Sequence, residues 1–190
     1  MHWESILLLV VIVLGGAAVI GSYIGGLKGK AGAADTLWGG VPSRVRPLYG
    51  ISMILSAVGF LAVLYFVFFR MDPTEAVLGG RFGFAILFPI FVAILVPSAL
   101  WLRASRDYVD EPSLLRWIIV RTILFIVALG SIALIWAFFA LEVDERDAAY
   151  WVATVGSCYF AFHTLVLDAL IWAWLFRRVA PDEEKAKGAS

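Results

Sequence analysis

The sequence predicts an all-α integral membrane protein: a bundle of five transmembrane helices, with the N-terminus outside and the C-terminus cytoplasmic. The 190 residues are 62% hydrophobic and only 16% charged, whereas soluble domains carry about 25% charged residues. The apolar residues also come in blocks of about twenty, the length that crosses a hydrocarbon core about 30 Å thick. The mean hydropathy of +0.92 agrees with this class.

Each apolar block predicts one membrane span. The predicted spans are at about 6–24, 48–69, 82–102, 114–141 and 149–176. Together they form a single membrane domain, 1–190, that ends in a charged tail at 177–190.

The distribution of Lys and Arg predicts the orientation, because cytoplasmic loops carry an excess of these residues. With the N-terminus outside, the outer side receives Arg70, Arg81 and Arg146. The inner side then receives the larger group, Lys28, Lys30, Arg44, Arg46, Arg103, Arg106, Arg116, Arg177, Arg178, Lys185 and Lys187.

Small residues repeat every fourth position along the first span. Ala17, Gly21 and Gly25 form one such row, and rows of this kind let another helix approach closely. We therefore predict helix packing along this row. A homodimer face is the functional alternative.

The fifth span carries Asp168 and His163 in its apolar interior. A carboxylate in hydrocarbon costs at least about 2.5 kcal/mol on insertion scales, so it requires compensation. The turn before this span centres near residue 144 or 145, and in an antiparallel pair residues of equal depth then have numbers that sum to about 289. Arg121 and Asp168 meet that sum, which predicts an ion pair. Its role is either to hold two helices in register or to serve a ligand pathway.

The stripe Thr154, Ser157, Ala161, Thr164 and Asp168 follows helical spacing, and it predicts a face directed into the bundle. His163 lies about 140° around an α-helix from Asp168, so we expect no compact dyad of these two residues. Tyr159 is one turn from His163 on the same face. A hydrogen-bonded core histidine and a ligand-binding histidine both remain open.

Several chemistries are disfavoured. Cys158 is the only cysteine, so no multi-thiolate metal site exists within the chain, and no HExxH or paired-carboxylate motif occurs. No lysine lies in a span, which excludes a retinal Schiff base. A serine hydrolase needs a hydroxyl within reach of His163, and we expect none from Ser157 or Ser131. An enzyme is therefore the less favoured class, the sequence identifies no cofactor, and its zero net charge gives no reason to expect nucleic acid.

A short segment before the second span carries a resemblance. The turn Trp38-Gly39-Gly40-Val41-Pro42, followed by Pro47-Leu48-Tyr49, together with eight tryptophans and five spans, resembles the tryptophan-rich sensory (translocator) proteins. That family binds porphyrins and other flat apolar ligands between its helices. Its Trp-x-Pro-Pro signature is absent here, so the resemblance concerns architecture and transfers no binding residue.

We therefore predict a multi-pass protein of the plasma or inner membrane that binds or passes a small apolar or amphipathic ligand between its helices. The candidate ligand-binding residues are His163, Tyr159, Asp168, Arg121 and Thr164. The alternative is a non-catalytic subunit or assembly factor of a larger membrane complex, with a homodimer or complex partner. A cavity of several hundred Å³ near His163 would favour ligand binding.

Overall fold

The computed structural model describes residues 2–27, 37–143 and 145–176. Within these ranges the chain forms helices α1 (Trp3–Leu27), α2 (Arg46–Phe69), α3 (Leu87–Asp110), α4 (Leu114–Ala140) and α5 (Ala148–Phe162). A 3₁₀ turn, Phe84–Ile86, leads into α3. The last helix continues without a break from α5 into a π-helix, His163–Trp172, which we call the π-segment.

The described residues contain five helices that are long and apolar enough to cross a membrane. They fall at the five predicted positions. The largest difference is in α3, which continues through the polar residues after Leu102 and ends only at Asp110. The predicted charged tail, 177–190, lies outside the described residues.

The order of the helices around the bundle differs from their order in the chain. α1 packs against α3, α3 against α4, α4 against α5 and the π-segment, and α5 against α2. Two apolar core clusters fill the two ends of this arrangement. One contains Val63, Phe91 and Phe138, and the other contains Tyr49, Trp117 and Phe176. The middle of the bundle lies between them.

Two glycines bring α2 and α5 into backbone contact. A Cβ atom built on Gly59 would lie 2.7 Å from the carbonyl oxygen of Gly156, and a Cβ on Gly156 would lie 2.6 Å from that of Gly59. Real Cβ atoms do not approach so closely, so both positions require the absence of a side chain. This crossing places α2 directly beside the polar face of α5.

The small-residue row of α1 was predicted to pack against another helix, but it does not do so among the described residues. Ala17, Gly21 and Gly25 are exposed, and the space beside Gly21 and Gly25 is open. α1 instead approaches α3 at Gly15, where an added Cβ would lie 2.9 Å from Leu95. A homodimer face along the row stays a prediction.

Asp147 fixes the start of α5. Its side chain accepts a hydrogen bond from the backbone N–H of Tyr150 at 2.9 Å and pairs with Arg70 at the end of α2. The Tyr150 N–H and the Arg70 guanidinium lower the pKa of the Asp147 carboxyl. An anionic cap of this kind complements the partial positive charge at a helix N-terminus.

Candidate ligand-binding cavity

A cavity of about 520 Å³ lies in the middle of the bundle, at the level where the two core clusters meet. All five helices contribute to its wall, as does the segment before α2. The residues that line it include Val19, Tyr23, Trp38, Tyr49, Met53, Ala57, Trp101, Val127, Phe160, His163, Thr164, Asp168 and Trp172. Its volume falls in the range of small-molecule sites, which are mostly apolar with a few polar groups.

The cavity reaches the outer surface of the bundle beside α2. Met53 and Ala57 line it, yet Ala57 is exposed and Met53 is 42% exposed. α1 packs mainly on α3 rather than on α2, so the described helices leave a lateral opening between α1 and α2.

His163 and Asp168 both line the cavity and lie against each other. The Nε2 of His163 is 3.6 Å from the Oδ2 of Asp168, so our expectation that they form no compact dyad is wrong. The reason is the π-segment, in which the Ala173 N–H bonds to the Asp168 carbonyl five residues earlier. With i→i+5 bonding, residues five apart stack on one face of the helix, and His163 and Asp168 are five apart.

Ser52 of α2 holds the other side of the imidazole. Its Oγ lies 2.9 Å from the Nδ1 of His163, and it accepts a hydrogen bond from the Tyr159 hydroxyl at 3.1 Å. Having accepted one proton, the Ser52 hydroxyl has its own to donate to Nδ1. In the tautomer with the proton on Nε2, Nδ1 accepts this hydrogen bond from Ser52 and the Nε2–H faces the carboxylate. Tyr159 thus acts on His163 through Ser52.

Ser52, His163 and Asp168 are the residue types of a hydrolase triad. The hydroxyl beside His163 comes from Ser52 on α2, and not from Ser157 or Ser131, from which we expected none. The arrangement nevertheless places Ser52 away from a ligand. Ser52 is only 6% exposed and is absent from the cavity wall. A nucleophile must reach the reacting atom of its substrate, so this geometry makes Ser52 an orienting group for the imidazole.

Arg121 contacts the π-segment at a different atom from the one predicted. Its Nη1 donates to the carbonyl of Ala169 at 2.7 Å, and its guanidinium lies over the ring of Phe125. Among the described residues, the side chain found within 4 Å of the Asp168 carboxylate is the imidazole of His163, so the structure gives no support to the predicted ion pair. The contact that Arg121 makes, at Ala169, is one residue away from the predicted contact at Asp168.

Arg121 and Tyr49 anchor the π-segment from opposite sides. The Tyr49 hydroxyl donates to the carbonyl of Leu167 at 3.0 Å, while Arg121 donates to that of Ala169. Each of these two carbonyls therefore accepts a hydrogen bond from a side chain of another helix. α2 and α4 together therefore fix the turn that carries Asp168.

The polar stripe on the last helix is directed inward as predicted. Thr154, Ser157, Ala161 and Thr164 are buried. The Thr164 hydroxyl donates to the Ser131 hydroxyl of α4 at 3.0 Å. Thr164 also lines the cavity, between His163 and Asp168 in the sequence.

The wall of the cavity changes character with depth. Near the ends of α1 and α3 it is aromatic, with Tyr23, Trp101 and Trp172 in a row whose ring centroids are 6.0 and 5.5 Å apart. Deeper in the bundle it is aliphatic and smaller, with residues such as Ala57 and Val127. Asp168 belongs to the aromatic end.

Ser52 is the site residue that sequence reasoning missed. Ser52, Ser56 and Gly59 follow 4-3 spacing along α2, and all three are buried. The small-residue argument applied to α1 would have identified this row as a packing face. The described residues contain no group of three or more His, Cys, Asp or Glu side chains arranged to hold a metal ion.

Comparison of the chain with family models, with curated proteins and with solved structures gave no match in any of the three.

Proposed function

We propose that the chain is a multi-pass protein of the plasma or inner membrane that binds or passes a small apolar or amphipathic ligand in its central cavity. The observation that carries this proposal is the 520 Å³ cavity lined by His163 and Asp168. A bundle without a cavity near His163 would have favoured a purely structural role. Ionisable groups inside spans are costly, and they commonly mark a ligand or ion pathway.

The lateral opening supports a ligand that arrives from the membrane. The exposed large apolar side chains along the helices, Leu14, Ile54 and Leu129 among them, fit a lipid environment. An apolar or amphipathic compound dissolved in that environment meets the opening between α1 and α2 directly. The proposed orientation, with the N-terminus outside and the C-terminus cytoplasmic, rests on the Lys and Arg distribution.

Native mass spectrometry of gently solubilised protein tests the proposal. We expect wild-type protein to retain a bound species of small-molecule mass. Ala57→Trp should lose it, because the indole would fill the cavity from a wall position that has room for it. Val58→Trp is the matched control, since Val58 is the next residue, is 58% exposed and lies outside the cavity wall.

Retention of the same species by Ala57→Trp would contradict binding in this cavity. A non-catalytic subunit or assembly factor is the second candidate, and the exposed row Ala17, Gly21 and Gly25 on α1 favours it. A stoichiometric protein partner in the same spectra, without a small molecule, would support that candidate.

A further inference from the structure

We infer that the cavity selects an amphipathic cation, an amine or quaternary ammonium with an apolar body, for which Asp168 is the counter-ion. This inference rests on the proposed function and names the ligand class of the same cavity. It follows from three features of the wall: its charge, its aromatic groups and their depth.

The charge of the wall has one sign. Of the side chains that the structure describes, Asp168 is the only acidic one in the cavity wall, and none of the described Lys or Arg side chains is in it. The side chain of Asp168 keeps 34% of its surface accessible, whereas that of His163 keeps 7%. Asp168 therefore presents its carboxylate to the cavity, while His163 supports it from behind.

The neighbouring basic groups are directed elsewhere. Arg121 donates to the carbonyl of Ala169 and lies over Phe125. Arg46 donates to the carbonyl of Val41 and lies 5.8 Å from the Trp38 ring centroid. Neither guanidinium belongs to the cavity wall, so the basic side chains that the structure describes leave the Asp168 carboxylate facing the cavity.

Aromatic rings surround the same end of the cavity. Tyr23, Trp101 and Trp172 form a row on one side, and Tyr49 packs edge-on against Trp38 at 5.9 Å on the other. Tyr23, Tyr49 and Asp168 all line this cavity. Aromatic faces attract cations, and rings that enclose a site recognise quaternary ammonium groups.

The charged head and the apolar body of the expected ligand would bind at different depths in the cavity. Asp168 is eight residues from Phe176, about 12 Å along a helix, near the end of the bundle where the aromatic rings lie. The deeper wall offers Val19, Ala57, Val127 and Phe160 to an apolar body. The cavity is thus complementary to a charged head and a hydrocarbon body in one orientation.

Two isosteric probes test the inference. Methyltriphenylphosphonium is a cation, and triphenylphosphine oxide is a neutral molecule of nearly the same shape. Binding of each to the full chain in phosphatidylcholine nanodiscs would be measured by isothermal titration calorimetry, with empty nanodiscs as the baseline. We expect the cation to bind about tenfold more tightly than the oxide, since a partly screened charge pair is worth at least about one factor of ten.

Two variants test whether the preference for the cation over the oxide arises from Asp168. Asp168→Asn should remove the tenfold preference by weakening the cation and leaving the oxide unchanged. Asp107→Asn is the matched control, because it removes the same charge from an exposed position near the same end of the bundle and should leave both affinities unchanged. The wild-type comparison of the two probes tests whether the cavity prefers the cation even where Asp168→Asn fails to fold.

Equal or tighter binding of the oxide would overturn the inference while leaving a ligand-binding cavity in place. A preference for the cation that persists in Asp168→Asn would overturn it as well, because the selectivity would then arise elsewhere. Loss of the co-purified species on Ala57→Trp is a separate result, so the proposed function and its ligand class can fail independently.

Discussion

Two tryptophans in the cavity wall show how much the partner of a single polar atom matters. The Nε1 of Trp172 donates to the carbonyl of Leu37 at 3.1 Å. The Nε1 of Trp101, whose ring lies 5.5 Å from that of Trp172, is buried without a hydrogen-bond partner among the described residues. The same indole group therefore stabilises at one position and carries a desolvation cost at the other.

We expect Trp172→Phe to destabilise the protein by about 1–3 kcal/mol more than Trp101→Phe, because only the first substitution leaves a buried acceptor, the Leu37 carbonyl, without its donor. Both variants lose similar ring area, so each serves as the control for the other. Unfolding in detergent, followed by the loss of helical circular dichroism, measures the difference. Equal losses of stability would contradict the prediction.

The sequence located most of the site residues but not their partners. His163, Tyr159, Asp168 and Thr164 were predicted from helical spacing, and three of them line the cavity. Ser52 was missed because it lies more than a hundred residues away in the chain, and its approach depends on how α2 packs on α5. Spacing within one helix contains no information about that packing.

At the scale of the helices, the crossing of α2 and α5 holds the site together. Gly59 and Gly156 bring the two backbones into contact, and Ser52 then reaches His163 two turns further along α2. A displacement of α2 would therefore separate the hydroxyl from the imidazole before it disturbed the rest of the bundle.

Gly59→Ala tests this crossing. We expect a loss of about 1–3 kcal/mol or more, since an added methyl group must push the two helices apart. Gly50→Ala, on the same helix with open space around it, should be neutral or slightly stabilising because alanine favours helix. Thermal unfolding of both variants in the same detergent makes the comparison, and similar midpoints for the two would contradict a close crossing.

The π-segment could not be predicted from local sequence. It contains no glycine or proline between His163 and Trp172, the residues that mark most interruptions of a helix. Its stabilising contacts come from Tyr49 and Arg121 on two other helices. π-turns occur frequently at functional sites, and here the wider turn assembles the pair of polar groups on which the proposal rests.

At the scale of the whole molecule, the helix positions followed directly from hydrophobicity and length. The five apolar blocks correspond to the five helices long enough to span a membrane among the described residues. The order of the helices around the bundle could not be predicted from the sequence. Every span is apolar on most of its surface, so hydrophobic periodicity does not indicate which helix packs against which. The orientation in the membrane remains a prediction from the charge distribution.

Cysteine labelling tests that orientation. In a Cys158→Ala background, Glu75→Cys lies in the exposed turn after α2, and Asp107→Cys lies in the exposed last turn of α3. We expect a membrane-impermeant maleimide to label Glu75→Cys in intact cells and Asp107→Cys only after permeabilisation, as the Lys and Arg bias requires. The reverse pattern would contradict the proposed orientation.

The π-segment has one more consequence. Its hydrogen bonds span five residues where those of an α-helix span four, so everything after it is rotated relative to an uninterrupted α-helix. Tyr150 and Ala153 before it belong to one core cluster, and Trp172 and Phe176 after it belong to the other. The last span therefore contacts one core cluster before the π-segment and the other after it. The change of helix type occurs at the wall of the central cavity, where His163, Thr164, Asp168 and Trp172 line it.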